Sequence, residues 1–334
     1  MKKVISALIF LGTIAVFNIV FSYSVLAYNI EYLGDIWVAG DFTVGPGKSE
    51  IWLNPGETAV RNLLITNRLG REANFFLVTE DFRGDPTGEV SVVLLGEEEG
   101  PYTLKDYLKP EISEFTLKHG ERITLPVEIS IPEDAEPGGR YGAVLISQTS
   151  DLSSAETDAG AGGQIRITAR IGALFFVRVK GDVEESGFLE DFRIKSPQKT
   201  IYEKGPFIFN ILFRNNGNVH LNPYGIIEIK NLAGRTIETI EMKPWFAMPD
   251  SLRFKEVKFE KINLFGRYTA TVKVNRGYSD IIDEKTVVFW VIPWKFVAIG
   301  LGVIVLIVLF FWWFARTFEI KKKKKEEPKI IDSE

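Results

Sequence analysis

The sequence predicts an all-β protein, with two immunoglobulin-like β-sandwich domains in tandem followed by one C-terminal transmembrane α-helix. Three observations predict this fold class. Short runs that alternate apolar and polar residues recur along most of the chain, separated by turn residues such as Asn54–Gly56 and Pro137–Gly139, as in antiparallel sandwiches. One long apolar run follows the last of these strands. The chain contains no cysteine, so the domains must fold without disulfides or zinc ribbons.

The first predicted domain covers residues 28–182. The alternation is clearest over Val60–Thr66, Ile123–Ile131 and Ile165–Lys180, which we interpret as strands. Residues 149–163 consist mainly of Ser, Asp, Ala, Glu and Gly, with almost nothing to bury. We therefore predict a flexible loop inside this domain.

The second predicted domain covers residues 183–291 and begins where the composition changes, at Gly181–Ser186. It contains a series of strand-like runs that matches the roughly seven strands of an immunoglobulin-like sandwich. These runs are Phe188–Ile194, Phe207–Asn215, Tyr224–Asn231, Arg235–Met242, Leu252–Glu260, Arg267–Asn275 and Lys285–Val291.

A Gly-Arg-Tyr triplet opens a late strand in each predicted domain and places Tyr141 in the first and Tyr268 in the second. In sandwich domains a tyrosine near this position forms a tyrosine corner, in which its hydroxyl bonds to upstream backbone. We therefore interpret Tyr141 and Tyr268 as structural residues rather than ligand contacts.

The N-terminus has the pattern of a signal peptide over residues 1–27. Lys2 and Lys3 precede the apolar run Val4–Phe21, and small residues place cleavage after Ala27. An uncleaved N-terminal anchor is the alternative, because the apolar run is slightly long for a signal peptide. An exported chain without cysteine is more typical of a bacterial surface than of an animal secretory pathway.

The C-terminus has the pattern of a membrane anchor. Residues 296–315 are uncharged and have the ~20-residue length that crosses the hydrocarbon of a bilayer. Aromatic residues flank both ends, as in the interfacial belts of membrane helices; they are Trp290, Trp294, Trp312 and Trp313. The tail 316–334 contains five consecutive lysines, which predict a cytoplasmic location by the positive-inside rule; they are Lys321, Lys322, Lys323, Lys324 and Lys325.

Net charge argues against a nucleic-acid partner. Residues 28–295 contain 31 of the 40 basic residues and 39 of the 44 acidic residues of the chain. The net charge of this segment is therefore about −8. A net negative surface does not attract a polyanion.

Residue types that carry chemistry are sparse, so we predict neither an enzyme nor a cofactor or metal site. His119 and His220 stand alone in different domains, without zinc-ligand spacing. Carboxylate clusters occur at Glu97–Glu99, Glu133–Glu136 and Glu184–Glu185. Calcium binding or a glycosidase pair is the alternative at these clusters, but solvated loop charge is the interpretation that we favour.

Aromatic residues in predicted loops are the best candidates for contact surfaces. Trp37 and Trp52 lie near the mature N-terminus, and Trp245 and Phe246 lie in a loop of the second domain. We predict that Trp245 and Phe246 plug the end of the sandwich or its core, or touch the bilayer surface on the membrane side, rather than form a binding site. Because the connector between the last strand and the membrane is short, the outer domain is the better candidate for partner contact.

Several runs in the first domain resemble the WxL-interacting proteins of Gram-positive bacterial surfaces. The matching segments are Leu53–Thr58, Leu63–Asn67, Ile131–Pro132 and Gly138–Gly142. The resemblance implies tandem immunoglobulin-like domains, one associated with peptidoglycan and one with partner or host binding, ahead of a transmembrane helix and a lysine-rich tail. It carries over no ligand residue.

These patterns together predict a non-catalytic, single-pass cell-envelope protein with its N-terminal ectodomain outside. The predicted partners are the membrane and a cell-wall polymer or another surface protein. The alternative is an accessory subunit of a membrane transport or secretion complex, docked through its transmembrane helix. Gly300 and Gly302 favour that alternative slightly, because small residues let helices approach closely.

Overall fold

A computed structural model describes residues 27–150, 167–195 and 199–317 of the chain. The predicted signal peptide, nearly all of the predicted loop 149–163 and the lysines 321–325 lie outside the described residues.

Strands form most of the described part of the chain. Those up to residue 179 are β1 (Asn29–Tyr32), β2 (Asp41–Gly45), β3 (Lys48–Leu53), β4 (Thr58–Arg68), β5 (Ala73–Arg83), β6 (Val93–Leu94), β7 (Leu108–Pro110), β8 (Glu114–Leu117), β9 (Glu121–Ser130), β10 (Gly138–Ser150) and β11 (Ile167–Val179). A short 3-10 helix covers Lys105–Tyr107. The strands after residue 179 are β12 (Gly187–Ile194), β13 (Ile201–Tyr202), β14 (Phe207–Asn215), β15 (Tyr224–Asn231), β16 (Thr236–Met242), β17 (Ser251–Phe259), β18 (Gly266–Asn275) and β19 (Ile282–Val291).

The first domain is a sandwich of two sheets. One has the strand order β1-β9-β4-β2 with β7 beside β9, and the other has the order β3-β11-β10-β5-β6 with β8 beside β5. Alternation decides which side chains enter the core, since successive residues of a strand point to opposite faces. In β4, for example, Leu63 and Ile65 are fully buried while Leu64 is 40% exposed. Each fully buried aliphatic side chain stabilises the fold by about 1.5–3 kcal/mol.

The second domain repeats this plan with an aromatic core. The sheet β12-β14-β17 packs against the sheet β13-β19-β18-β15-β16. Alternate residues of β14 are buried along its whole length, and the rings of Phe207 and Phe289 lie 4.9 Å apart. In both domains an early strand pairs in parallel with the last strand, β3 with β11 and β13 with β19. The two sandwiches therefore share this topological feature.

One α-helix, α1, covers Trp294–Thr317 and begins directly after Pro293. It extends slightly beyond the predicted span 296–315 at both ends. Among the described residues it is the one helix long and apolar enough to cross a membrane, and none of its apolar window is buried against the rest of the chain. Trp294 is its first residue and Trp312 and Trp313 lie in its last turns, whereas Trp290 lies in β19.

Candidate binding surface beside the interdomain joint

The two domains contact one another directly, because only residues 180–186 separate β11 from β12. Backbone hydrogen bonds cross between them. The N–H of Gly139 donates to the carbonyl of Asn218 at 2.9 Å, and the N–H of Leu252 donates to that of Asp85 at 3.3 Å. We call this contact region the interdomain joint.

Tyr141 lies at the centre of the joint and is completely buried. Its hydroxyl accepts a hydrogen bond of 2.6 Å from the backbone N–H of His220 in the second domain. The predicted tyrosine corner would have bonded to upstream backbone of its own domain. The structure differs because Tyr141 points out of its sandwich: on β10 the residues that enter the core of the first domain are Val144 and Ile146, whereas Tyr141 belongs to a separate cluster.

Tyr268 makes a different contact, within its own domain. Its hydroxyl donates to the carbonyl of Phe265 at 3.2 Å and lies 3.3 Å from the backbone N of the same residue. This is a bond to backbone just upstream, and it holds the turn that leads into β18.

A separate apolar cluster fills the joint. From the first domain it takes Phe82, Tyr141 and Phe176, and from the second it takes Met248 and Phe246. The rings of Phe176 and Phe246 lie 5.2 Å apart. Burial of rings from both domains removes apolar surface from water only while the domains stay in contact, so this cluster stabilises their relative position.

The prediction that Trp245 and Phe246 plug the sandwich or its core is confirmed for Trp245, whereas their placement on the membrane side is wrong. Phe246 contacts the first domain, and Trp245 is buried in the core of the second domain. Their loop follows β16, and in the register of the sheet the end of β16 pairs with the start of β15, Met242 opposite Gly225. This is the end of the domain that faces the joint, opposite to the end from which α1 begins.

Gly84 shows how closely the domains approach. A Cβ atom at this position would lie 2.5 Å from the Cβ of Ser251 and 2.6 Å from the Cβ of Met248, both in the second domain. No side chain fits at that distance, so glycine is required here for steric reasons.

Polar residues close the rim of the joint. The amide of Asn222 donates to Glu50 at 3.2 Å, and Lys48 pairs with Glu50 at 2.5 Å. Burial raises the pKa of Glu50, but its hydrogen bond and attraction to Lys48 outweigh this effect and leave that pKa below its ordinary value. On another side, the hydroxyl of Tyr102 donates to Asp250 at 2.7 Å.

His220 lies between these groups and is 5% exposed. Burial lowers its pKa to about 4, although the negative charge of Glu50 acts in the opposite direction. The imidazole is therefore neutral at neutral pH. It packs edge-on against the rings of Tyr141 and Phe176.

We expect acid to weaken the folded chain through His220. Because the pKa of His220 is lower in the folded chain, the unfolded chain binds a proton more readily. The stability that depends on a neutral His220 is therefore complete above about pH 6.5 and is lost as the pH falls towards about 4. The loss amounts to about 3 kcal/mol at most. Urea unfolding at several pH values measures it. His220→Asn should flatten the slope in this window; equal slopes in wild type and His220→Asn would contradict the assignment.

The outer face of the sheet that carries the joint continues beyond it as an apolar strip that is open at Val78 and covered at Leu145. Register places Val78 of β5 opposite Leu145 of β10, and Leu174 of β11 pairs with Ala143, two residues before Leu145. Val78 is 49% exposed, while Leu145 and Leu174 join the apolar cluster of the joint. The ion pair of Arg170 with Glu80, at 2.7 Å, borders the strip. We call these residues the open strip.

The other predicted contact residues lie elsewhere on the first domain. Trp37 is 85% exposed in the segment between β1 and β2, and Trp52 is 52% exposed on β3. His119 has a structural position: its Nδ1 accepts from the N–H of Gly70, and its Nε2 lies 3.1 Å from the carbonyl of Ile36. Within the described ranges no group of three or more His, Asp or Glu residues could hold a metal ion.

Comparisons with known proteins give remote structural similarity only. No family model matches the chain. No curated protein matches it either. Among solved structures, the class 5 fimbriae chaperone CfaA is 12% identical, covers 76% of this chain and 100% of its own, and has a TM-score of 0.35. The CsuC–CsuE chaperone–adhesion subunit complex of Acinetobacter baumannii is 11% identical, with coverages of 75% and 98% and a TM-score of 0.32. The E. coli chaperone DraB is 11% identical, with coverages of 73% and 97% and a TM-score of 0.31.

Proposed function

We propose that this chain is a non-catalytic, single-pass cell-envelope protein whose ectodomain binds another surface protein or a cell-wall polymer. The α1 helix would anchor it, with the two sandwich domains outside and the lysine-rich tail in the cytoplasm. This proposal agrees with the resemblance to WxL-interacting proteins in the first domain.

The open strip is the observation that carries the proposal. Apolar side chains on the outer face of a sheet normally gain a covering layer, and here Leu145 is covered within the joint cluster whereas Val78 beside it stays 49% exposed. An exposed apolar side chain that continues a buried apolar cluster, as Val78 does, is a position at which a partner can extend the contact. The joint holds this surface at a fixed position relative to the second domain, and through it to α1.

Binding of the ectodomain, residues 28–290, to purified cell wall and to isolated surface proteins tests the proposal. We expect retention by one of them, and we expect Val78→Arg to reduce it at least tenfold, because a charge in an apolar contact costs more than about 1.4 kcal/mol. Val288→Arg is the matched control, since Val288 is also partly exposed, at 38%, but lies on β19 of the second domain.

The two outcomes of the control separate the explanations. Loss of binding in both valine variants would indicate a general effect of added charge. Retention of neither wall nor surface protein by the wild-type ectodomain would contradict the proposal.

The second candidate function is that of an accessory subunit docked through α1. Gly300 and Gly302 favour it, because apart from chain neighbours and the helix's own backbone no atom of the described residues lies within 4 Å of a Cβ at either position, and both are open to close packing by another helix. Replacing α1 with an unrelated apolar helix separates the two candidates. A surface-binding protein keeps its function after this exchange, whereas a subunit docked through its helix loses it.

A further inference from the structure

The end of the second domain from which α1 begins consists of three loops. Register defines this end: Gly266 at the start of β18 pairs with Val291 at the end of β19, and Asn231 at the end of β15 pairs with Tyr268. The loops 203–206, 232–235 and 260–265 all lie at this end, next to Pro293.

Large apolar side chains stand out from two of these loops. Phe265 is 70% exposed, Leu232 is 68% exposed and Ile262 is 52% exposed. Their position is notable because they are grouped beside the first turn of the one described helix that could cross a membrane. Exposed apolar residues grouped in this way usually mark a contact surface.

The loop that carries Phe265 is held in place. The backbone N and O of Phe265 both contact the hydroxyl of Tyr268, and the neighbouring Leu264 is buried in the core. The carbonyl of Lys261 comes so close to Gly205 that a Cβ there would lie 2.1 Å away. The loops therefore present Phe265 and Ile262 on a fixed support.

A cleft of about 480 Å³ separates this loop from the start of α1. Its apolar wall includes Ile262, Phe265, Pro293 and Phe296, and its polar wall includes Lys204 and Lys295. Apolar side chains beside lysines suit the boundary between acyl chains and headgroups, where amphipathic side chains keep their charged ends in the polar layer.

Basic side chains surround the apolar ones. Lys204 and Arg235 are exposed, and neither has a carboxylate within 4.0 Å among the described residues. Lys295 pairs with Glu203 at 3.6 Å while remaining 67% exposed. Cations at this level are attracted to the phosphates of lipid headgroups.

We propose that this end of the second domain is a second membrane contact, in which Phe265, Ile262 and Leu232 insert into the interfacial layer of the bilayer that α1 spans. The inference rests on the proposed anchoring by α1. It adds that the domain lies against the lipid surface instead of standing clear of it on a bare connector.

Single-cysteine labelling tests the inference, since the chain contains no cysteine of its own. The full chain, carrying a nitroxide label at Phe265→Cys, is reconstituted in vesicles of phosphatidylcholine and phosphatidylglycerol. Collision of the label with oxygen, which enters lipid, is compared with collision with a water-soluble nickel complex. Ile282→Cys is the matched control, because Ile282 is also apolar and 62% exposed but lies at the opposite end of the same domain. Val305→Cys, within α1, reports on the anchor.

We expect the label at 265 to collide several-fold more with oxygen relative to nickel than the label at 282 does. A label at 265 as water-exposed as that at 282, while the label at 305 lies in lipid, would overturn the second contact and leave the anchor intact. Water exposure at 305 would instead contradict the anchoring itself. Because Phe265 is mostly exposed, its replacement should leave the thermal unfolding of the protein unchanged, which calorimetry checks.

Discussion

Replacement of Tyr141 by alanine should uncouple the two domains. The substitution removes a fully buried ring from the joint, for which we expect a loss of about 3–5 kcal/mol. It also removes the acceptor of the His220 N–H bond. In calorimetry we expect the single unfolding transition of coupled domains to separate into two, and limited proteolysis should cleave between residues 180 and 186 more readily.

Two further variants define what Tyr141 contributes. Tyr141→Phe keeps the ring and leaves a buried N–H without its partner, so a smaller loss of about 1–3 kcal/mol is expected. Tyr268→Ala removes a comparably buried ring, 6% exposed, from the second domain alone. It should lower the stability of that domain without exposing the segment 180–186 to protease. Equal proteolysis in Tyr141→Ala and wild type would show that the joint does not depend on Tyr141.

Truncation of the chain after Ile292 should release it from the membrane once an alkaline carbonate wash has removed interfacial contacts. The deletion removes α1, which is the one described helix that could span a bilayer. Fractionation of expressing cells into membrane and soluble parts measures the result. Val305→Arg gives an intermediate case, because a charge near the centre of a membrane helix costs about 2.5–3.5 kcal/mol on insertion, and Val305→Leu is its neutral control.

The truncated protein also reports on its N-terminus. Retention of the truncated chain in the membrane fraction would contradict anchoring by α1 alone. Retention that survives the carbonate wash would favour the uncleaved N-terminal anchor that the length of Val4–Phe21 leaves open, whereas retention lost in the wash would fit the interfacial contact of the second domain.

Local patterns predicted the sandwiches well because they depend on local physics. Alternation along β4 and β14 follows from the two faces of a strand, and the position of α1 follows from an uncharged apolar run. The all-β class with two sandwich domains and one C-terminal apolar helix is confirmed by the described strands and helix.

The joint could not be predicted in the same way, because it depends on which two surfaces meet. Tyr141 and Phe176 have the spacing of ordinary strand residues, and nothing local distinguishes a ring that faces its own core from one that faces another domain. The loop Pro244–Pro249 was a usable signal. Two aromatic residues and a methionine between prolines are more apolar than a free loop requires, but the sequence alone does not show which surface they meet.

The position of β19 determines how a pulling force would travel through the molecule. β19 pairs with β18 over ten residues in register and with β13 on its other side, and it leads into α1 through Ile292 and Pro293 alone. Tension between a partner held by the outer domain and the bilayer would act along the axis of β19. The hydrogen bonds on both sides of the strand would then share the load in shear, instead of opening one after another from the end. A tether built in this way resists extension in the direction in which a cell-surface attachment would be pulled.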